Sequence, residues 1–182
     1  SPASPEDQAM IIDTFGLKGR FQQVYGLTEG GPMGSALFPE DLDNKPRSLG
    51  INGSIGGELM IVDKDLNKIE ESGIVGEIVV FSESCMLEYY HDPEKSAATL
   101  INGWVLTGDL AMYDEDGYTY FVDRSKDMII SGGQNVYSKE IEDVLMGHPA
   151  VMEVAVIGVP HPQWGESVKA VVSLRPGMKA TP

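Results

Sequence analysis

The chain has 182 residues, enough for one ordinary domain or for parts of two. Its formal net charge of -15 argues against a nucleic-acid partner, because a polyanion would be repelled, but one local group of donors can still hold a phosphate. No apolar run is long enough for an integral membrane segment, the start lacks the pattern of a leader peptide, and the single cysteine, Cys85, cannot form an internal disulfide, so a reducing, cytoplasmic setting is the expectation.

The first element reads as a short helix. Ser4 suits the N-cap, Pro5 the first helical position and Asp7 the positive end of the helix, while Ile11, Ile12 and Phe15 give an apolar face that Gly16 terminates. Residues 21–25 read as a strand entering a Gly-rich loop, Gly30-Gly31-Pro32-Met33-Gly34. Residues 58–62 and 77–81 are β-branched or apolar runs opened by Gly-Glu, with turn chemistry at Asp63, Asp65, Asn67 and Gly73 between them. Residues 104–106 and 118–122 are further strands around a hairpin turn at residues 114–117.

The texture changes at a basic, polar joint, Arg124-Ser125-Lys126-Asp127. Met128-Ile129-Ile130 leads to Gly132-Gly133, and then Ser138 reads as the cap of a helix carrying Ile141, Val144 and Leu145 and ending at Gly147. Strands at 154–159 and 168–174 follow. The fold class is α/β: a mainly β subdomain over 1–123, then part of a small α/β lobe over 124–182.

Four segments carry chemistry, and their order matters more than any one of them. They are Tyr25-Gly26-Leu27-Thr28-Glu29, then GWVLTGDL at 103–110, then FVDRSKDMIISGGQNVYSKEIE at 121–142, then GVPHPQWGE at 158–166. In this order they resemble the C-terminal portion of acyl- and aryl-CoA synthetases of the adenylate-forming superfamily, relatives of beetle luciferase and of peptide-synthetase adenylation domains. The resemblance covers essentially the whole chain. It implies a large AMP-binding domain ending near Asp123 and a small C-terminal lobe after it.

The resemblance also implies an activity: ATP-dependent joining of a carboxylic acid, fatty or aryl, to coenzyme A through an acyl-adenylate. Attack at the α-phosphorus gathers negative charge, so the site needs a metal and directed donors. Mg²⁺ takes oxygen ligands and keeps several waters, so one protein carboxylate suffices. By resemblance that carboxylate is Glu29. Thr28 would donate to a phosphate oxygen, and Tyr25, with Gly26 beside it, would pack on the adenine. Asp109 and Arg124 would hold the ribose, with Phe121 along its edge. Lys126 falls at the family's hinge between two lobe orientations, Gly132 and Gly133 at the wall of the pantetheine tunnel, and Trp164 where it could stack on the CoA adenine. Residues 30–34 would line the carboxylate pocket. His91, His148 and His161 have no metal spacing, and Cys85 has no basic neighbour to activate it.

Asp123 stands where the family usually has glycine, Glu88 where glycine often precedes the tyrosine pair Tyr89-Tyr90, and Ser138 where proline is common. No Ser/Thr/Gly-rich phosphate loop ending in lysine is present, nor the family's late lysine, so the chain by itself is expected to be inactive. Two readings stay open beside the CoA ligase: an adenylation domain serving a carrier protein, and a non-catalytic nucleotide-binding or interaction module. A homodimer is compatible with either.

Overall fold

The computed structural model describes residues 3–51 and 57–179, without the side chains of Pro32 and Met33. It divides into two compact units, Ser1–Phe121 and Val122–Pro182.

The first unit opens with α1 (Pro5–Phe15), capped as the sequence suggests: the Ser4 hydroxyl oxygen accepts from the Asp7 N–H, and Gly16 closes the helix in the left-handed conformation. Its anchor, however, is polar. Phe15 and Met10 are exposed, whereas Gln8 is buried, its amide donating to the Gln23 side chain at 3.0 Å and to the Pro46 carbonyl at 2.7 Å. Gln23 in turn donates to the Ser48 carbonyl. Ile11 and Ile12 of the expected apolar face are half-buried, and the buried amide pair adds a polar anchor beside them.

The strand expected over residues 21–25 forms two residues later in the chain. β1 (Gln23–Leu27) turns at residues 28–30 into β2 (Gly31–Leu37), so the segment expected as a Gly-rich loop is half of an antiparallel hairpin. The space beside its first two glycines is already filled. A Cβ on Gly30 would meet Val80 Cγ2 at 2.5 Å, and one on Gly31 would meet Ser84 Oγ at 2.2 Å. Their small size serves packing within this chain.

A six-stranded antiparallel sheet forms the core of this unit. Its strands are β3 (Ser48–Gly50), β4 (Gly57–Val62), β5 (Gly76–Ser82), β6 (Leu100–Ile101), β7 (Trp104–Tyr113) and β8 (Thr119–Arg124). The order is β3-β8-β7-β5-β4, with β6 on β7. Leu59, Ile61, Ile78, Val80, Val105 and Tyr113 fill the interior, and Tyr25, Leu27 and Phe121 pack on it. The hairpin at 114–117 forms as expected: the Asp114 carboxylate accepts from the Asp116 and Tyr118 N–H groups. Lys45 clamps this turn, donating to Asp114 at 2.6 Å and to Asp116 at 2.7 Å.

A helix not anticipated from the sequence, α2 (Pro93–Thr99), lies between β5 and β6. Asp92 caps it and Pro93 starts it, signals that were present locally.

In the second unit β9 (Ile129–Ser131) and β10 (Gln134–Val136) form a hairpin, followed by α3 (Ser138–Met146), β11 (Val151–His161) and β12 (Gly165–Leu174). The antiparallel order is β10-β9-β12-β11. α3 packs on β11, and the Glu142 carboxylate accepts from the Val156 N–H on that edge strand. Ile141 and Leu145 are half-buried, but Val144, expected on the same face, is exposed.

Candidate active site

The YGLTE and TGD motifs, distant in sequence, meet in the first unit. The Tyr25 hydroxyl donates to Asp109 Oδ2 at 2.8 Å across 84 residues. Asp109 reaches that position because β7 is bulged. Glu77 pairs with Leu110 and Val79 with Leu106, so Thr107, Gly108 and Asp109 together oppose Ile78 alone. The bulge is stitched at each residue. The Thr107 hydroxyl donates to the Ile78 carbonyl at 2.7 Å and accepts from the Asp109 N–H, while the Gly108 N–H donates to the Glu77 carboxylate at 2.8 Å. A bulge re-aims a side chain that regular pairing would direct elsewhere. Asp109 is a residue of a ten-residue strand, and it is buried. Glu77 was not singled out in the sequence, although its Gly-Glu strand opening was visible there.

At the far end of the β1–β2 hairpin Gly26 and Thr28 are exposed and Glu29 is half-buried. The Tyr89 hydroxyl donates to Glu29 Oε1 at 2.7 Å, and the Glu29 carbonyl accepts from the Met86 N–H. Tyr89 is a second site neighbour that the motifs did not reveal. Phe121 packs against the same core cluster as Tyr25.

Among the described residues no three His, Cys, Asp or Glu side chains converge as a metal cluster. Glu29 fits the sparser requirement of Mg²⁺, a single half-buried carboxylate on a turn beside the exposed Thr28 hydroxyl. Cys85 serves the 82–85 turn, its sulfur accepting from the Ser82 N–H.

The second unit carries the remaining candidates. Arg124, Ser125, Lys126 and Asp127 are exposed, and the Arg124 carbonyl accepts from the N–H groups of Asp127 and Met128 to close a turn around Lys126. Gly132 and Gly133 form the two-residue β9–β10 turn, with φ of 59° and 80°, a geometry in which glycine is unstrained. Trp164 lies against that turn: a Cβ on Gly132 would come within 2.9 Å of its ring, and its carbonyl accepts from the Gly132 N–H. Trp164 is 49% exposed, so it is no core residue. His161 orders the β11–β12 turn, its Nδ1 accepting from the Gln163 and Trp164 N–H groups.

Ser138 is not the cap of α3. The cap position is Tyr137, which makes no side-chain cap bond, and Ser138 is the first helical residue. Its buried hydroxyl donates to Asp123 Oδ2 at 3.0 Å, and the Lys139 N–H approaches the same oxygen at 3.4 Å. Asp123, also buried, accepts from the Arg124 N–H at 2.8 Å. The helix N-terminus is thus held by a carboxylate 15 residues upstream of Ser138, at the position where the family usually has glycine.

Residues 140–182 match the family of AMP-binding enzyme C-terminal domains. The fatty acid–[acyl-carrier-protein] ligase ScoC of Streptomyces coeruleorubidus is 38% identical across 98% of the chain, which spans 35% of that protein. The long-chain-fatty-acid–CoA ligase FadD13 of Mycobacterium tuberculosis is 45% identical over 82% of the chain and 29% of its own length. The solved o-succinylbenzoate CoA synthetase of Bacillus subtilis, in complex with its acyl-adenylate intermediate, superposes with a TM-score of 0.84 at 34% identity, over 98% of this chain and 36% of its own. The chain belongs to the adenylate-forming superfamily. It spans about a third of the length of these superfamily relatives. Among the described residues no helix is long and apolar enough to cross a membrane.

Proposed function

We propose that the chain is the nucleotide- and CoA-handling portion of an ATP-dependent acid–CoA ligase, acting on a fatty or aryl acid. The observation that carries this reading is the Tyr25–Asp109 pair, which unites two motifs of the superfamily around one buried carboxylate. The substrate carboxylate attacks the α-phosphorus of ATP and pyrophosphate leaves. The thiolate of CoA then attacks the acyl carbon and AMP leaves. Asp109 accepts from the ribose hydroxyls, Arg124 donates to the same sugar, and Tyr25 and Phe121 line the base and the sugar edge. Thr28 donates to a phosphate oxygen. Glu29 would hold Mg²⁺, which supplies neutralisation of phosphate charge.

In the thioester step Gly132 and Gly133 let the pantetheine arm pass close to backbone, and Trp164 offers an exposed ring to the CoA adenine. Lys126 is the pivot between the two steps. The domain assignment proposed is the same one: the end of the large domain up to Asp123 and part of the small lobe from Arg124, in a cytoplasmic enzyme of fatty acid metabolism.

The test uses the full-length protein. Acid-dependent pyrophosphate release, followed by consumption of CoA, is expected across a panel of fatty and aryl acids. Pyrophosphate release with transfer only to a carrier protein would favour the carrier-linked reading. No acid-dependent pyrophosphate release would refute the ligase.

A further inference from the structure

The Glu29 side chain is held from outside its own hairpin. Tyr89 donates to Glu29 Oε1 at 2.7 Å from 60 residues away in sequence, and the Glu29 backbone is tied to the same segment through Met86. Tyr89 is itself fixed through its backbone and through its ring. Its N–H donates to Ser96 Oγ at 2.8 Å, and that hydroxyl donates to the Asp92 carbonyl at 2.7 Å. Lys95 Nζ lies 3.9 Å over the centre of its ring. The adjacent Tyr90 has none of this: it is 88% exposed, and its ring meets His91 in a tilted contact.

A tyrosine needed only to fill space would not require its hydroxyl aimed at a carboxylate. We propose that Tyr89 is a positioning residue for Glu29. It fixes one carboxylate oxygen and so orients the group toward the metal–nucleotide complex, and α2 serves to hold Tyr89 in place. The proposal rests on the reading of Glu29 as the magnesium ligand. Partners of this kind orient ligating groups in metal sites, and their loss typically weakens metal binding by about 10- to 100-fold.

The experiment uses the full-length protein and Mn²⁺ as the probe, titrated with ATP present and followed by electron spin resonance. Tyr89→Phe removes one oxygen and keeps the ring, the Lys95 contact and the Ser96 bond. It should weaken Mn²⁺ binding by about tenfold or more. The Mg²⁺ concentration needed for half-maximal pyrophosphate release should rise in parallel, with the KM for the acid unchanged. Tyr90→Phe should match the unaltered protein in both measurements. Glu29→Gln should weaken Mn²⁺ binding strongly, and adding Tyr89→Phe to it should change nothing further. If Glu29→Gln weakens binding but Tyr89→Phe does not, the positioning role is wrong and the ligand assignment stands. If Glu29→Gln binds Mn²⁺ normally, the ligand assignment fails, and the role of Tyr89 falls with it.

Discussion

Asp123→Ala tests how far a single buried carboxylate supports the second unit. Among the described contacts of α3, Asp123 provides the side-chain acceptor at its first turn, since Tyr137 at the cap position makes no such bond. Loss of a cap costs about 1 kcal/mol. Removal also strands the Ser138 hydroxyl, which is 4% exposed, and an unsatisfied buried polar group costs about 1–3 kcal/mol. The sum is a destabilisation of roughly 2–4 kcal/mol. Asp123→Asn keeps one acceptor oxygen and should lose about half of that. Combining Asp123→Ala with Ser138→Ala should cost less than the two losses added together, because the stranded hydroxyl is gone. Urea unfolding monitored by Trp164 fluorescence, in a Trp104→Phe background, reports the second unit selectively; hydrogen exchange over residues 138–146 reports the helix. A loss below about 0.5 kcal/mol, or unchanged exchange in α3, would refute the reasoning.

Three further perturbations probe other elements. Asp109→Ala in the full-length protein should raise the KM for ATP by about tenfold or more, since hydrogen bonds to a charged acceptor are lost; an unchanged KM would remove Asp109 from the nucleotide site. Gln8→Leu should destabilise the first unit by about 1–3 kcal/mol by leaving the Gln23 amide and the Pro46 carbonyl short of a donor, and a variant as stable as the parent in thermal unfolding would contradict that. Lys45→Met should lower the unfolding midpoint in a pH-dependent way. Burial alone would raise the Asp114 carboxyl, but Lys45 and the Tyr118 and Asp116 N–H groups bring it below its ordinary value. Its contribution is therefore present above the unfolded-state value and fades as pH falls through the lower folded-state value. The two midpoints should differ at pH 7 and converge in acid below the usual carboxylate range; a constant gap would show that the ion pair is not the cause.

The sequence carried those parts of the fold whose causes are local. The α1 caps at Ser4 and Gly16 and the Asp114 turn follow from residue type at fixed offsets, and β4, β5, β7 and β8 of the core sheet follow from apolar or β-branched runs, whereas the short β3 and β6 carry no such run. What escaped depends on partners far along the chain. Gln8 looks solvent-facing until Gln23 and Pro46 are known to surround it. Ser138 looks like a cap until Asp123 occupies that role. Thr107-Gly108-Asp109 has the composition of a turn, yet it is a bulge within β7, because Ile78 and Glu77 on the neighbouring strand hold it. In the same way the motifs named Tyr25, Asp109 and Glu29, but their spacing could not reveal that Tyr25 meets Asp109 or that Tyr89 meets Glu29. The Asp92-Pro93 start of α2 is a local signal, but the helix it opens is only seven residues long.

The Asp123–Ser138 bond has a mechanical consequence. It shuts residues 123–138 into a closed linkage, and Lys126 lies inside it. In a closed linkage no single torsion can turn alone; every rotation must be cancelled by counter-rotations elsewhere in the loop. While the linkage is shut, the end of β8 from Val122 and the start of α3 move as one piece, however soft the backbone at Lys126. With an opening cost of a few kcal/mol, the open form would make up roughly 0.1–10% of molecules. Engaged, the Asp123 bond ties together the two ends of residues 124–137; released, the torsions between them are no longer coupled through it.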